Sequence, residues 1–240
     1  AALQKNEISD LAAAWISDPG RSELLGLAVV DDIKQNKVFW IPAKILVSPD
    51  VKKVIAGGFK FRGHNVKPIL RSLLNLGIDL KEMVLDTAIA AYLLDPSESR
   101  YEIKQVVSRY LGIDIASADS KSQDGQLNFD EPDATSVASS VAATESIGVG
   151  LVASVMLKSL ENQKLMSLYS EIEHPLVRVL ARMEFLGVEV DKKQLIEINN
   201  RLTAECTALT KKLHAVANQE FNLNSPLQLR KILYEDKKLT

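Results

Sequence analysis

Apolar positions recur along this chain with two different periods, and the period changes near residue 60. Before that point Glu23-Leu24-Leu25-Gly26-Leu27-Ala28-Val29-Val30 and Lys37-Val38-Phe39-Trp40-Ile41 are short, partly β-branched runs of strand length. The polar stretch Asp31-Asp32-Ile33-Lys34-Gln35-Asn36 between them predicts the turn of a hairpin, and Pro42 closes the second run. From Asn65 onward the spacing is helical: Ile69, Leu73 and Leu76, then Val84, Ile89 and Leu93, fall on helix faces separated by Gly77 and closed by Asp95-Pro96. Strands followed by helices predict an α/β or α+β first domain.

Residues 114–133 break the pattern with six acidic residues against one lysine, together with Ser, Gln and Gly, and read as an exposed loop. The Ala/Val/Ser-rich segment from Ala134 to Leu160 predicts a buried helix or helix pair. Beyond it Leu176, Val179, Leu180 and Met183 form one apolar stripe that ends at Gly187. A short extended piece, Val188-Glu189-Val190, leads to Asp191 as the N-cap of a long helix with the stripe Leu195, Ile198, Leu202, Cys206, Leu209, Leu213 and Val216. That helix has about 27 residues and a length of roughly 40 Å. Ser225-Pro226-Leu227-Gln228 opens a last helix with serine at N-cap, proline at N1 and glutamine at N3. The chain stops soon afterwards, at Leu239-Thr240, which predicts a piece of a longer protein.

Composition narrows the classes. With 240 residues, 46% of them hydrophobic and 25% charged, the chain can bury a sizeable core, which excludes disorder as the dominant state. No apolar run looks long enough for the ~20 residues of a membrane span, and no apolar stretch follows Ala1-Ala2-Leu3-Gln4-Lys5, so no membrane partner and a cytoplasmic location are expected. One cysteine, Cys206, excludes an internal disulfide and sits on an apolar stripe as a core thiol; His64, His174 and His214 are too scattered for a structural metal site. The net charge of −2 hides a gradient: residues 164–240 carry 12 basic against 10 acidic side chains, and residues 1–163 carry 17 against 21. A polyanion would meet the C-terminal part, although two solvated helical faces give the same counts.

Most signatures of catalysis are absent: there is no phosphate-binding Gly-Lys loop, His-Glu-x-x-His, Gly-x-Ser-x-Gly or Cys-x-x-Cys. Gly148-Val149-Gly150-Leu151-Val152-Ala153 has the letters of a dinucleotide fingerprint, but a helical segment precedes it where a strand is required, so small residues for close helix packing are the better reading. His64 lies near a strand-to-helix turn, where capping and surface roles compete with a ligand role.

Longer strings carry a resemblance. Glu173-His174-Pro175-Leu176-Val177-Arg178-Val179-Leu180-Ala181-Arg182-Met183-Glu184-Phe185-Leu186-Gly187-Val188-Glu189-Val190-Asp191, Phe221-Asn222-Leu223-Asn224-Ser225-Pro226-Leu227-Gln228-Leu229 and Ile232-Leu233-Tyr234 resemble the start of the polymerase domain of the bacterial family A DNA polymerases, the DNA polymerase I group. Gly63-His64-Asn65-Val66-Lys67, the run from Leu85-Asp86-Thr87 to Asp95-Pro96, and the Arg109-Tyr110-Leu111-Gly112 string resemble the 3′-5′ exonuclease domain of the same family. The resemblance covers nearly the whole chain and is weakest over residues 1–60. It implies an RNase H-like exonuclease fold, α/β with a mixed sheet and helices, over residues 1–165, and an all-α segment, the first part of the polymerase thumb, over 166–240.

The chemistry of that family sets a test. A phosphodiester is hydrolysed there by two divalent metals about 4 Å apart, and hard Mg²⁺ or Mn²⁺ demands clustered carboxylates. The family supplies them as D-x-E on the first strand, an Asp after the Asn of a second motif, and Y-x-x-x-D on a late helix. Here no D-x-E occurs; the resemblance sets Ala14 and Ile16 at the first pair, Ile69 at the second motif's acid, and Val141 and Glu145 at the tyrosine and aspartate of the third. A degenerate, inactive exonuclease domain is expected, with no catalytic residue, cofactor or metal of its own. Asp86 matches a family aspartate and reads equally as a surviving ligand or as a helix-start cap, while Asp10 or Asp18 would enter a metal site only through a shifted register.

For the thumb the resemblance implies sequence-independent phosphate contacts to primer–template DNA from Asn222, Asn224, Ser225, Arg230 and Lys231. A capped helix start beside cations suits a phosphate, although a helix cap and two solvated cations look the same in sequence. Polymerisation itself, with dNTPs and Mg²⁺, would belong to a longer parent, a monomer acting in DNA replication and repair, in which this part is scaffold and DNA guide. Two rivals stand beside this: a live nuclease with the ligand set Asp10, Asp18, Asp86 and Glu145, and a helical interaction module with no DNA role.

Overall fold

The computed structural model describes residues 7–115 and 134–238. Most of the acidic segment predicted as a loop, residues 116–133, lies outside the described residues. Two compact units divide between Gly187 and Val188.

In the first unit five strands form one sheet in the order β3-β2-β1-β4-β5. β1 (Ser9–Trp15), β2 (Leu24–Asp32) and β3 (Lys37–Pro42) make an antiparallel meander, with the predicted hairpin turn between the last two. β4 (Lys60–Gly63) and β5 (Glu82–Asp86) add in parallel beyond β1. Parallel pairing needs crossovers; α1 (Ala43–Leu46) and α2 (Pro49–Ala56) lead into β4, and α3 (Val66–Asn75) joins β4 to β5. The result is the mixed sheet with helices that was expected.

Alternation along β1 builds both layers of the core. Leu11 and Ala13 face Phe61, Val66, Ile69, Leu73 and, from α8 (His174–Leu186), Val177 and Ala181. Ala12 and Ala14 face the other way, onto Ala28 and Ala142. Ala142 belongs to α6 (Ala134–Asn162), so the Ala/Val/Ser-rich segment is one helix rather than a pair. α6 also packs on α4 (Thr87–Leu94) and α5 (Ile103–Leu111) through Val149, Val152, Ala153, Met156 and Leu160. With so few charged side chains it is long and apolar enough by composition to cross a membrane, contrary to the sequence expectation. Its buried residues meet α4 and α5 and, at Ala142, the sheet.

The letters Gly148-Val149-Gly150 sit in mid-helix, and their role is packing. A Cβ at Gly148 would stand 2.9 Å from the Ile103 side chain, and one at Gly150 would stand 2.6 Å from both Asp10 Oδ2 and Ile33 Cδ1. Asp10 cannot step aside, because Arg62 Nε and Nη2 donate to its two carboxylate oxygens at 2.6 and 2.9 Å. The glycine thus lets a helix lie directly over a buried ion pair.

Three expectations are corrected. Val84 lies in β5, because Glu82–Asp86 is a five-residue edge strand too short to show its period between two helices. The stripe Leu176, Val179, Leu180 and Met183 faces outward; the small and β-branched Val177 and Ala181 let α8 approach α3, and the larger side chains point away. In the second unit the stripe of α9 (Lys192–Ala217) is exposed along its length, and Cys206 with it, because no other described element of that unit covers it. Both predicted caps are present: Asp191 accepts from the Lys193 and Gln194 N–H groups, and Ser225 Oγ from the Gln228 N–H.

Gly150→Ala is expected to destabilise the first unit by about 1–3 kcal/mol, the usual cost of overpacking a close-packed site. Urea denaturation checks it; a value within about 0.5 kcal/mol of the parent, the range of an ordinary surface change, contradicts this account of the α6–β1 approach.

Candidate functional site

β1 and β4 run parallel, and a cleft of about 330 Å³ opens where they end, the usual place for a ligand in an open α/β sheet. Its walls come from the end of β1 (Ala12 to Trp15), from the β4–α3 turn (His64, Asn65, Ile69) and from one face of α6 (Ala138, Val141, Glu145). A second hollow of about 520 Å³ shares His64, Asn65, Val141 and Glu145 and extends to Arg100, Tyr101 and Lys104.

Local rules explain each placement. Asn65 adopts the left-handed conformation (φ 51°) that asparagine tolerates better than most residues, and this turns the chain from β4 into α3. The turn is held by Asp86, at the end of β5, whose carboxylate accepts from the Asn65 N–H at 3.0 Å, the Val66 N–H at 2.7 Å and the Ala88 N–H at 3.0 Å. His64 Nδ1 lies 2.8 Å from Thr87 Oγ1, and Thr87 Oγ1 donates to the Gly63 carbonyl at 3.2 Å. With its one proton committed there, the Thr87 hydroxyl accepts from Nδ1–H. Burial lowers the His64 pKa, and the Asp86 carboxylate and the Tyr101 carbonyl only partly offset this. At the mouth, Trp15 Nε1 donates to Ser72 Oγ at 2.7 Å and fixes the end of β1 on α3.

Ala14, Ile69, Val141 and Glu145, separated by up to 131 positions in the chain, line this one cleft. Ile16 does not: it lies one residue beyond the end of β1 and is 63% exposed. The pair spaced i, i+2 on the cleft face of β1 is Ala12 and Ala14. Among the lining residues of the 330 Å³ cleft the only carboxylate is Glu145, whose pKa is raised by burial and partly restored by Lys104.

The acids of the rival ligand set are elsewhere engaged or apart. Asp10 is paired with Arg62, Asp86 is spent on three backbone donors, and Asp18 lies in an exposed turn where its carbonyl accepts from the Arg21 and Ser22 N–H groups. Among the described residues no group of three or more His, Cys, Asp or Glu is arranged to hold a metal ion.

In the second unit, the candidate DNA contacts cluster around α10 (Pro226–Arg230). Asn222 Oδ1 accepts from the Asn224 N–H at 2.9 Å, and Gln228 Oε1 reaches back to the Asn222 N–H at 2.8 Å. Asn222, Asn224 and Ser225 thereby build the helix start, while Arg230 and Lys231 remain exposed.

Residues that sequence reasoning missed as structural determinants are Tyr169 and His174. A π-helical turn, Tyr169–Glu173, sets their rings 5.7 Å apart against the outer edge of β5. Tyr169 Oη accepts from the Asp86 N–H at 2.8 Å and His174 Nε2 meets the Met83 carbonyl at 2.6 Å, so side chains occupy the edge of the sheet. Nothing in hydrophobic periodicity signals such a turn.

Comparison with known proteins adds the family. The description "DNA polymerase I, ribonuclease H-like domain" fits residues 17–121. DNA polymerase I of Bacillus subtilis is 30% identical over 214 residues, 88% of this chain and 24% of that protein. DNA polymerase I of Geobacillus stearothermophilus is 31% identical over 159 residues, 66% of this chain and 18% of that protein. The chain thus spans about a quarter or less of the curated relatives it matches. Among solved structures, the polymerase domain of Pol1 from M. smegmatis, in complex with DNA primer-template and dNTP, shares the fold with a TM-score of 0.77 at 21% identity, over 100% of this chain and 39% of that one.

Glu145 yields a pH prediction. Because its folded-state pKa is raised, the native state binds the proton more tightly, and stability falls as pH rises from the ordinary glutamate value through the raised one. Glu145→Gln is expected to match the parent in acid and to exceed it at neutral pH. Urea midpoints at pH 4 and 7.5 decide, and a variant less stable than the parent at neutral pH shows a carboxylate held by favourable partners.

Proposed function

We propose, for a chain that belongs to the DNA polymerase I family, that its ribonuclease H-like domain has lost the carboxylates of the two-metal exonuclease and serves as scaffold and DNA guide for a DNA polymerase of replication and repair. The observation that carries this is the convergence of Ala12, Ala14, Ile69 and Glu145 on one cleft. Hydrocarbon side chains offer no donor to Mg²⁺, and a single carboxylate with a raised pKa is a poor ligand, so these residues do not fit a two-metal centre. Asp10 and Asp86 could join only by abandoning a guanidinium and three N–H groups, which disfavours the live-nuclease reading.

The second unit is read as the start of the thumb. Exposed Arg230 and Lys231, following a capped helix start, are suited to the backbone of primer–template DNA, the ligand of the M. smegmatis polymerase domain. Polymerisation with dNTPs and Mg²⁺, a monomeric state and a cytoplasmic, nucleoid-associated setting belong to the whole protein in this reading.

Two measurements test it. Labelled single-stranded DNA incubated with the chain and Mg²⁺ or Mn²⁺ is expected to keep its 3′ end, as it does with EDTA; metal-dependent shortening that copurifies with the folded protein overturns the loss of the site. Arg230→Ala with Lys231→Ala is expected to weaken duplex binding several-fold, uniformly across sequences, and to reduce the salt slope by about 1 to 2. Unchanged affinity and slope in fluorescence anisotropy remove these residues from the DNA interface.

A further inference from the structure

We propose that the groove between β5 and α8, remote in chemistry from the exonuclease cleft, docks an acidic, amphipathic polypeptide segment of a partner protein. The groove holds about 390 Å³. Its apolar lining is Leu70 from α3, Leu80 and Met83 around β5, and Val179 from α8. Lys81, Arg178 and Arg182 stand on the same lining, and past Lys81 a second hollow of about 390 Å³ runs to Lys52 and Ile55.

Charge is what points to the ligand. Arg178 and Arg182 both donate to a single acceptor, Asp79 Oδ2. The Arg178 Nε–H is buried and has no acceptor among the described residues, a rare condition for a polar atom that normally finds a partner. Lys52 and Lys81 are exposed and make no ion pair with a described residue. Four cations therefore face two carboxylates, Asp79 and Glu82, around the joined hollows. A ligand carboxylate supplies the planar, bidentate acceptor that guanidinium groups prefer.

The apolar lining and its continuation select the rest of the ligand. Val179, from the exposed stripe of α8, lines the groove between Arg178 and Arg182, so apolar and cationic surface alternate along one track. A phosphate backbone has nothing to bury on such a track, whereas a segment with Leu- or Phe-sized side chains next to Glu or Asp fills both parts. The arrangement resembles an interface core of apolar side chains with an arginine at its rim.

The probe is a fluorescein-labelled peptide of repeated Glu-Leu-Leu-Glu composition, with a Gln-for-Glu peptide as control, titrated with the 240-residue chain in fluorescence anisotropy. Saturable binding that weakens at high salt is expected for the Glu peptide alone. Arg182→Ala combined with Lys81→Ala is expected to raise Kd about tenfold, and Lys44→Ala, on α1, to leave it unchanged. Both altered sites are exposed, and circular dichroism confirms the fold of the variants. Equal binding of the Gln peptide, no saturable binding, or an unchanged Kd in the double variant overturns the proposal. Concentration-dependent self-association abolished by the same two substitutions overturns it in favour of a second copy of this chain.

Discussion

A buried carboxylate at the end of an edge strand organises the first unit. Asp86 is 1% exposed and accepts three backbone N–H groups from the first turns of two helices, donors that a helix cannot satisfy internally. Its own N–H goes to the Tyr169 hydroxyl. One residue therefore joins β5, the start of α3 and the start of α4 through its side chain, and the π-helical turn before α8 through its backbone. Burial raises its pKa against the pull of those N–H donors and of the neighbouring His64. Without this acceptor the buried Val66 N–H would be stranded, at a cost of about 1–3 kcal/mol, and the part-buried Asn65 and Ala88 N–H groups would lose their partner. The sequence left Asp86 open between ligand and cap, and its geometry is that of a cap.

The second constraint is the distance between α6 and the sheet. Ala12, Ala14, Ala28 and Ala142 form a thin contact layer, and Gly150 admits the Asp10–Arg62 pair beneath the helix. Close approach of this kind leaves little volume for larger side chains. The cleft is the part of the same interface that stays open, where β1 ends and α6 runs on toward Val141 and Ala138.

Patterns confined to a few residues were legible in the sequence. The hairpin turn after β2, the caps at Asp191 and Ser225, the helical nature of 134–160, though not whether it is one helix or two, and the packing role of Gly148 and Gly150 follow from local rules that tertiary context did not override. Burial of the amphipathic stripes was not legible. Spacings of three and four residues prove an apolar face but not what covers it, and in both α8 and α9 that face is exposed in the described residues. Of the site, the resemblance brought Ala14, Ile69, Val141 and Glu145 to one cleft across the whole domain, a result that periodicity alone could not give. Ile16 fell outside because a strand's end is not written in its letters; alternation on β1 puts Ala12, not Ile16, beside Ala14.

On the proposed reading, the loss of ligands and the persistence of the cleft have one physical cause. Clustered carboxylates without a cation repel one another and resist burial, so a metal-free Asp and Glu on this face of β1 would work against the α6–sheet contact. Alanine at the same positions joins that contact, as Ala12 and Ala14 do with Ala142. Isoleucine at position 69 likewise joins the core formed by Val66, Leu70 and Leu73. Asp10 is retained with a fixed guanidinium in place of any mobile cation. Glu145 is the carboxylate left on the cleft, where burial raises its pKa and Lys104 offsets this only in part. The walls of the cleft are therefore the core of the domain. A domain that no longer needed to hydrolyse DNA could shed its ligands and gain packing, but could not shed the cleft without dismantling the sheet that forms it.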